Sequence, residues 1–459
     1  MAIHGFDRDR FISRLHEVVS PSRPIASIEH LIGRSMELDR IDKALQAPGR
    51  SIFIFGERGV GKSSLAATAA NLYQSSDSEY IDVSCSPDST ISSIVANIAS
   101  QAINRSKLKP TKTARTTELN FNWLTYTIQT EGIPVDFDSL IKTTGDAVSV
   151  LKEVSNIHSD TPIIVVDEVD RLRNEAELDK FADLLKQIGD KRIDLKFVFT
   201  GVGHTLEEIL GAHDSAIRQL ETIELPRLSW DGRWDIAIKA LAAFEIVIPD
   251  SIYIRLAAVS DGYPFYVHLV VEKLLWILFE KDEYVKKVTW DDYFQALNEA
   301  IVSISPELAR PYAKATESRG PDYEDVVWST SADEWQGAHI GTMYWIYEYI
   351  MEQKGRSEYL SYSQFSSRIR NLKKEQYGKI LVQRRERGEY HYNEKMLRGY
   401  IRMQAEANGI NLYIEEKEKQ PKQYLKVPSK KHGYHIGSGA PSGYRSAWEQ
   451  INRRKILIT

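Results

Sequence analysis

Residues 56–63 read GERGVGKS, a glycine-rich run that ends in a lysine and a serine. Glycines let a backbone curl until several N–H groups converge, and a loop of that kind binds phosphate oxygens. A strand pattern at 51–55 precedes the run, and an alanine-rich helix pattern follows at 64–73. The positive end of that helix would also face the phosphates. The spacing GxxxxGK[ST] is typical of a phosphate-binding loop.

The polar side chains of this loop predict ATP and Mg²⁺ as its ligands. We expect Lys62 to bridge the β- and γ-phosphates and the Ser63 hydroxyl to ligate Mg²⁺. The residues predicted to contact the nucleotide here are Gly56, Gly59, Val60, Gly61, Lys62, Ser63 and Ser64.

Two carboxylates, Asp167 and Glu168, follow the apolar strand pattern at 163–166. The carboxyl ends of parallel strands meet at one edge of a sheet, where nucleotides bind. We expect Asp167 to hold Mg²⁺ through water and Glu168 to act as the general base that polarises the attacking water. The alternative is a strand that merely ends in exposed acids.

Two further residues lie close to strand ends. Thr200 ends the strand pattern at 197–200 and would orient the attacking water, although a hydroxyl that bonds the backbone is the alternative. Arg218 precedes the last strand pattern, at 223–225. It would reach the γ-phosphate of a neighbouring subunit as an arginine finger. A surface arginine is the alternative.

Short apolar strands alternate with helical segments from residue 51 to about 228, which predicts a parallel sheet covered on both faces. The segments on either side read differently, since their apolar residues recur at helical spacing or are broken by prolines. The predicted organisation is an N-terminal arm at 1–30, an α/β core at 31–228 with an insertion at about 100–150, a helical lid at 229–305, a linker at 306–337, a small domain at 338–408 and a basic tail at 409–459.

Composition excludes several classes of protein. Of the 459 residues, 42% are hydrophobic and 27% charged, which is the balance of a folded soluble protein. The one cysteine, Cys85, excludes a disulfide framework and a multi-cysteine metal site. The longest apolar stretch, 265–279, contains two charged residues and a histidine, so we expect no membrane span and a cytoplasmic location.

The net charge of −5 conceals an asymmetry. Residues 338–459 contain 23 Lys and Arg against 12 Asp and Glu, a net charge of +11, so residues 1–337 carry −16. A basic C-terminal part on an acidic body predicts contact with a polyanion such as DNA. A charge bias with no partner is the alternative.

Taken together, these motifs resemble the AAA+ ATPases, specifically the initiator-type branch of origin recognition and its relatives in transposition. The resemblance rests on LIGR at 31–34 before the phosphate loop, on GERGVGKS, on VDEVDRL at 166–172, on Thr200, and on Gly-Tyr-Pro at 262–264. It covers roughly residues 25–305. It implies the fold of an α/β P-loop NTPase core with an all-helical lid, followed by a winged-helix domain.

The resemblance also implies roles for individual residues. Leu31 and Ile32 would contact adenine, Thr200 would be the first sensor, and Arg218 the finger. The family places a second sensor, usually an arginine, just after the turn that ends at Pro264. Here no arginine follows, so His268 is the candidate, with a packed core histidine as the alternative.

In the small domain, strand patterns at 378–384 and 390–393 would form a hairpin wing. The helix before them carries Arg368, Arg370, Lys373 and Lys374, cations suited to DNA phosphates. A winged helix can instead dock a protein.

The hypothesis from sequence is therefore an ATP-binding and ATP-hydrolysing AAA+ switch. Its nucleotide state would control assembly with itself or a partner, with DNA bound through 338–459. The alternative is a STAND-like signalling protein, or a regulatory ATPase subunit of an antiphage defence system that acts with a separate effector.

Overall fold

The computed structural model describes residues 3, 5–21, 23–74, 78–105, 117–121, 124–128, 137–172, 174–203, 219–317, 319–332, 337–383 and 388–412. The chain divides into two compact units. Arg23–Pro226 forms one, here called the core unit, and Met1–Ser22 together with Arg227–Thr459 forms the other, here called the helical unit.

The core unit alternates strands with helices. Its elements are α2 (Ser35–Gln46), β1 (Ser51–Phe55), α3 (Lys62–Tyr73), β2 (Ile81–Ser84), α4 (Ile91–Arg105), β3 (Thr117–Phe121), β4 (Leu124–Ile128), α5 (Phe137–Leu140), α6 (Thr144–Ile157), β5 (Ile163–Asp167), α7 (Glu175–Asp190), β6 (Lys196–Gly201) and β7 (Leu220–Glu224).

Five of these strands form a parallel sheet in the order β2-β5-β6-β1-β7. The strands β1, β5 and β6 lie inside the sheet, and their apolar side chains are almost completely buried, except for the partly buried Phe55. Strands buried on both faces read as continuous apolar runs, and this is why the sequence revealed them. The predicted parallel sheet is confirmed.

Within the predicted insertion, about 100–150, the structure has helical and strand segments. The apolar pattern of α4 continues to Arg105, and helices α5 and α6 occupy much of 137–157. Between them, β3 and β4 pair as an antiparallel hairpin.

The helical unit consists mainly of helices. Its elements are α1 (Arg8–Val18), α8 (Trp230–Ala242), α9 (Asp250–Val259), α10 (Pro264–Phe279), α11 (Trp290–Ser303), α12 (Pro306–Thr316), α13 (Asp322–Ser329), β8 (Gly337–His339), α14 (Ile340–Gln353), α15 (Tyr362–Asn371), β9 (Leu381–Gln383), β10 (Glu389–Tyr392) and α16 (Leu397–Ala407).

The predicted N-terminal arm, 1–30, is divided between the two units. Phe11 of α1 is fully buried and stacks on Phe279 of α10, with ring centroids 4.1 Å apart. Residues from Arg23 onward belong to the core unit, where the Ile25 backbone bonds α3. Aromatic packing therefore holds α1 in the helical unit, and hydrogen bonds to the Ile25 backbone hold the segment after Arg23 in the core unit.

The predicted linker, 306–337, was wrong as a statement about local structure, because it contains the helices α12 and α13. Pro306 occupies the start of α12, where a missing N–H costs nothing, and Pro311 lies inside that helix. Trp328 of α13 is buried and donates from Nε1 to the Tyr312 hydroxyl, 3.1 Å away. Packing thus overrides the helix-breaking signal of the prolines.

The C-terminal part of the helical unit contains a three-stranded antiparallel sheet in the order β8-β10-β9. Helices α14 and α15 lie between β8 and β9 in the chain. The predicted basic tail, 409–459, lies outside the described residues from 413 onward. No helix in the described ranges is long and apolar enough to span a membrane.

Candidate functional site

The phosphate loop follows the carboxyl end of β1, as predicted. Gly59 and Gly61 adopt positive φ angles of 81° and 97°, a region that side chains other than glycine rarely adopt. At Gly56 the constraint is space, because a Cβ atom there would lie 2.5 Å from the Leu225 carbonyl oxygen. The three glycines thus meet separate local requirements of one tight loop.

Lys62 begins α3 and turns its side chain back over the loop. Its Nζ donates to the carbonyl oxygens of Gly56, at 3.0 Å, and Glu57, at 2.9 Å. Burial lowers the pKa of Lys62, while the carboxylates of Asp170 and Asp167 act in the opposite direction. The ammonium therefore lies close to the acidic groups of the site.

Asp167, Glu168 and Thr200 form one hydrogen-bonded group. The fully buried Thr200 hydroxyl donates to Asp167 Oδ1 and accepts from the Glu168 N–H at 3.1 Å. The strands β5 and β6 are neighbours, so their carboxyl ends bring these residues together. The structure thus places the three predicted residues side by side; their catalytic roles stay predictions.

Glu168 has a left-handed backbone with φ 58°, which is uncommon for a residue other than glycine. Its half-exposed carboxylate pairs with Arg171, with Oε2 and Nε 2.7 Å apart. The strained turn and the ion pair orient the carboxylate that the sequence assigned as general base.

Sequence reasoning missed two neighbours of this group. Asp170 opposes the lowering of the Lys62 pKa more than either predicted carboxylate does, so it is a third acidic group near the loop. The Cys85 N–H donates to the Asp167 carbonyl oxygen at 2.9 Å. Burial raises the pKa of the Cys85 thiol to about 12, so it stays protonated. The signal for Asp170 was present in the DEVD run.

Arg34 was noted in the sequence as part of a motif, but no role was predicted for it. Its guanidinium is buried and donates from one nitrogen to the carbonyl oxygens of Val60, at 2.9 Å, and Pro226, at 2.7 Å. Val60 belongs to the phosphate loop. Arg34 therefore ties the loop to the last residue of the core unit.

The residues expected to lie near the nucleotide base, Leu31 and Ile32, are half-buried just before α2. The hydroxyl of Ser64 accepts from the Ile25 N–H at 3.0 Å, and Thr68 donates to the Ile25 carbonyl at 2.9 Å. Ser64 and Thr68 thus hold the segment that precedes Leu31 against α3. Nucleotide contact by Leu31, Ile32 and Ser64 stays a prediction.

The oxygen donors at this edge of the sheet suit Mg²⁺. In phosphate-transfer sites Mg²⁺ takes one or two carboxylates and completes its shell with water and substrate phosphates. Within the described part of the chain, no cluster of three His, Cys, Asp or Glu could hold a metal by itself. Ser63 and Asp167 would hold Mg²⁺ only together with a bound phosphate.

The helical unit holds the two remaining described candidates. Pro264 starts α10, and His268 is buried one turn later, where its Nδ1 accepts a hydrogen bond from the Ser20 N–H at 3.5 Å. Packing and this bond account for the histidine, and its role as second sensor stays a prediction. Arg218, the predicted finger, lies outside the described residues.

A five-stranded parallel sheet with a lysine-bearing phosphate loop after β1 and a carboxylate pair after β5 defines a P-loop NTPase fold. Residues 46–210 match the family model described as an AAA domain. This segment of the chain is therefore similar to an AAA domain. No curated protein matches the chain.

Solved structures similar to the chain include proteins from three organisms. The Walker-type ATPase PABY2304 of Pyrococcus abyssi is 14% identical, with 83% of this chain and 99% of that chain covered and a TM-score of 0.49. Cdc6p of Pyrobaculum aerophilum is 16% identical, with 86% and 98% covered and a TM-score of 0.43. The ORC2 protein of Aeropyrum pernix is 13% identical, with 85% and 98% covered and a TM-score of 0.44.

The Thr200 hydrogen bonds predict a measurable effect on stability. Thr200→Val keeps the shape of the side chain but removes the hydroxyl that donates to Asp167 Oδ1, and the Glu168 N–H then keeps only Asp167 Oδ1 as its acceptor. Losing the hydroxyl donor of a charged carboxylate costs about 1–3 kcal/mol of the free energy of unfolding. Thr200→Ser, which keeps a hydroxyl, should cost clearly less. Urea denaturation of both variants measures the difference, and equal losses would mean that the hydroxyl does not stabilise the group.

Proposed function

We propose that the chain binds ATP with Mg²⁺ and hydrolyses it, and that its nucleotide state controls assembly with further copies of itself on DNA. The observation that carries the proposal is the group formed by Lys62, Asp167, Glu168 and Thr200 beside the phosphate loop. Phosphoryl transfer needs a cation at the phosphates, a metal-holding carboxylate and a group that orients water.

In this proposal each residue has one task. Lys62 exchanges its loop carbonyls for the β- and γ-phosphates, whose negative charge is the stronger partner for an ammonium. Asp167 holds the metal with Ser63, while Glu168 accepts the proton of the attacking water. Thr200, bonded to both acidic residues, fixes their positions.

Two variants separate binding from turnover. Lys62→Met should lose binding of a fluorescent ATP analogue, because no cation then faces the phosphates. Glu168→Gln should keep that binding but lose at least about a hundredfold in turnover, because an amide cannot take a proton. Glu175→Gln makes the same chemical change at an exposed position of α7 and serves as control. Wild-type turnover by Glu168→Gln would contradict the assignment of the general base.

The proposal of self-assembly rests on the predicted role of Arg218 as an arginine finger. An arginine supplied by a neighbouring subunit stabilises the charge of the transition state and is worth a factor of about a thousand or more in turnover. Arg218→Ala should therefore lose most of its ATPase activity and keep ATP binding. Mixing Arg218→Ala with Glu168→Gln, two inactive chains, should restore part of the activity, because a mixed pair contains one complete site. If mixing restores none, Arg218 does not act across subunits.

DNA binding is proposed for the C-terminal part of the helical unit. The chain order α13, β8, α14, α15, β9, β10 and the sheet order β8-β10-β9 support a winged helix, in which α15 would meet the groove. Three of the predicted cations donate to groups of the protein: Arg368 to Asp322 at 2.7 Å, Lys373 to Gln383 at 2.8 Å and Lys374 to Asn371 at 2.8 Å. Arg370 and Lys374 are exposed, and the partner of Lys374 is a neutral amide, so these two are better placed for phosphates.

The DNA proposal predicts a salt-dependent and local effect. In the full chain, Arg370→Gln with Lys374→Gln should weaken binding of a labelled duplex. It should also flatten the log–log salt slope, by about 0.9 for each lost phosphate contact. Lys152→Gln with Lys191→Gln removes two exposed cations of the core unit and should change neither. The intact chain is needed because α16 is bonded to other helices of the helical unit.

The same DNA titration also tests the alternative function. A signalling or defence-type regulatory ATPase that docks an effector protein predicts no duplex binding at low salt. Absence of a detectable shift at about 50 mM salt, where phosphate contacts are strongest, would overturn the DNA part of the proposal and leave the ATPase part intact.

A further inference from the structure

Arg34 is a buried charged residue whose hydrogen-bond partners are backbone carbonyl groups. Its side chain is almost completely buried, and burial lowers the pKa of Arg34 to about 10 although Glu37 lies near. The nearest Glu37 oxygen is 3.6 Å away, so carbonyl oxygens rather than a close carboxylate satisfy the guanidinium. The carbonyls belong to Val60 in the phosphate loop and to Pro226, the residue at which the core unit ends.

Arg227, the next residue along the chain, begins the second segment of the helical unit, and Asp261 binds its side chain. Its Nη1 donates to the Asp261 carbonyl oxygen at 3.0 Å and pairs with the Asp261 carboxylate at 2.8 Å. The Leu228 N–H donates to the Gly262 carbonyl at 2.8 Å. The first residues of this segment are thus fixed to the turn that contains Asp261 and Gly262.

Asp261 in turn binds the last described helix. Its buried carboxylate accepts from Arg398 Nε at 2.8 Å and lies 3.3 Å from Arg402 Nη1, both on α16. Burial alone would raise the pKa of Asp261, but Arg398 and Arg402 together lower it below its usual range. The carboxylate is therefore charged and links the 227–228 segment to α16.

We infer that Arg34 is a positioning residue that passes the state of the phosphate loop to the helical unit through the peptide between Pro226 and Arg227. The path runs from Val60 through Arg34 to Pro226, and from Arg227 through Asp261 to Arg398. This inference rests on the proposed function, because it requires a nucleotide at the loop. A guanidinium suits the task, since one rigid group reaches two carbonyls of the core unit.

Amide hydrogen exchange of the 255–266 segment, with and without Mg²⁺ and the non-hydrolysable analogue AMP-PNP, tests the inference. In the wild type, exchange should differ about tenfold between the two states, a usual size for coupling between sites. In Arg34→Met saturated with AMP-PNP, the difference should vanish. Arg40→Met is the matched control, because Arg40, on the α2 helix that Arg34 precedes, also donates to a backbone carbonyl, that of Thr222 at 2.9 Å, which lies outside the loop. It should respond like the wild type.

Arg227→Met tests the same path from the other side. It leaves the Arg34 bonds in place, so the affinity for the analogue should be unchanged while the exchange response is lost. This variant keeps the test decisive if Arg34→Met fails to fold.

The outcomes are distinguishable. A full response in Arg34→Met or in Arg227→Met would overturn the inference, and so would a wild type that binds AMP-PNP without a response at 255–266. In all these cases the proposed ATPase stands. A wild type that does not bind the analogue would overturn the proposed function and this inference together.

Discussion

The parallel pairing of β1 with β6 on one side and β7 on the other is the interaction on which the candidate site depends. This pairing sets the phosphate loop, which follows β1, beside Thr200 at the end of β6. Because β5 pairs with β6 in turn, Asp167 arrives at the same edge. A register shift of one residue would turn Thr200 to the other face of the sheet and separate it from Asp167. The chemistry of the site is therefore fixed by strand register before any side chain contributes.

The close fit behind the loop follows from the same pairing. Leu225, just past β7, donates its N–H to the Phe55 carbonyl oxygen at 2.7 Å, and its own carbonyl then occupies the space next to Gly56. A glycine is required there by a neighbour some 170 residues away in sequence. The glycine at position 56 of the loop is therefore required by the pairing of β7 with β1.

Local patterns predicted what local physics determines. The loop, the carboxylate pair and Thr200 were found because apolar strands buried on both faces leave a distinct signature, with polar residues at their ends. The helix at 306–316 was missed because its prolines outweighed its apolar face, and only the packing around Tyr312 and Trp328 reveals why it persists. The roles of Arg34 and Asp261 could not be predicted, since each depends on partners more than 100 residues away.

The buried charges of the helical unit limit how its parts can move. A second buried pair, Arg255 with Glu406, joins α9 to α16, and the Tyr266 hydroxyl donates to the Met396 carbonyl at 2.7 Å just before that helix. Removing one partner of a buried ion pair costs about 3–5 kcal/mol of the free energy of unfolding. Separating α16 from these helices would therefore be strongly unfavourable. The helices α9, α10 and α16 are therefore expected to move together. A nucleotide-dependent change that reaches the turn at Asp261 would therefore act on the C-terminal sheet through α16.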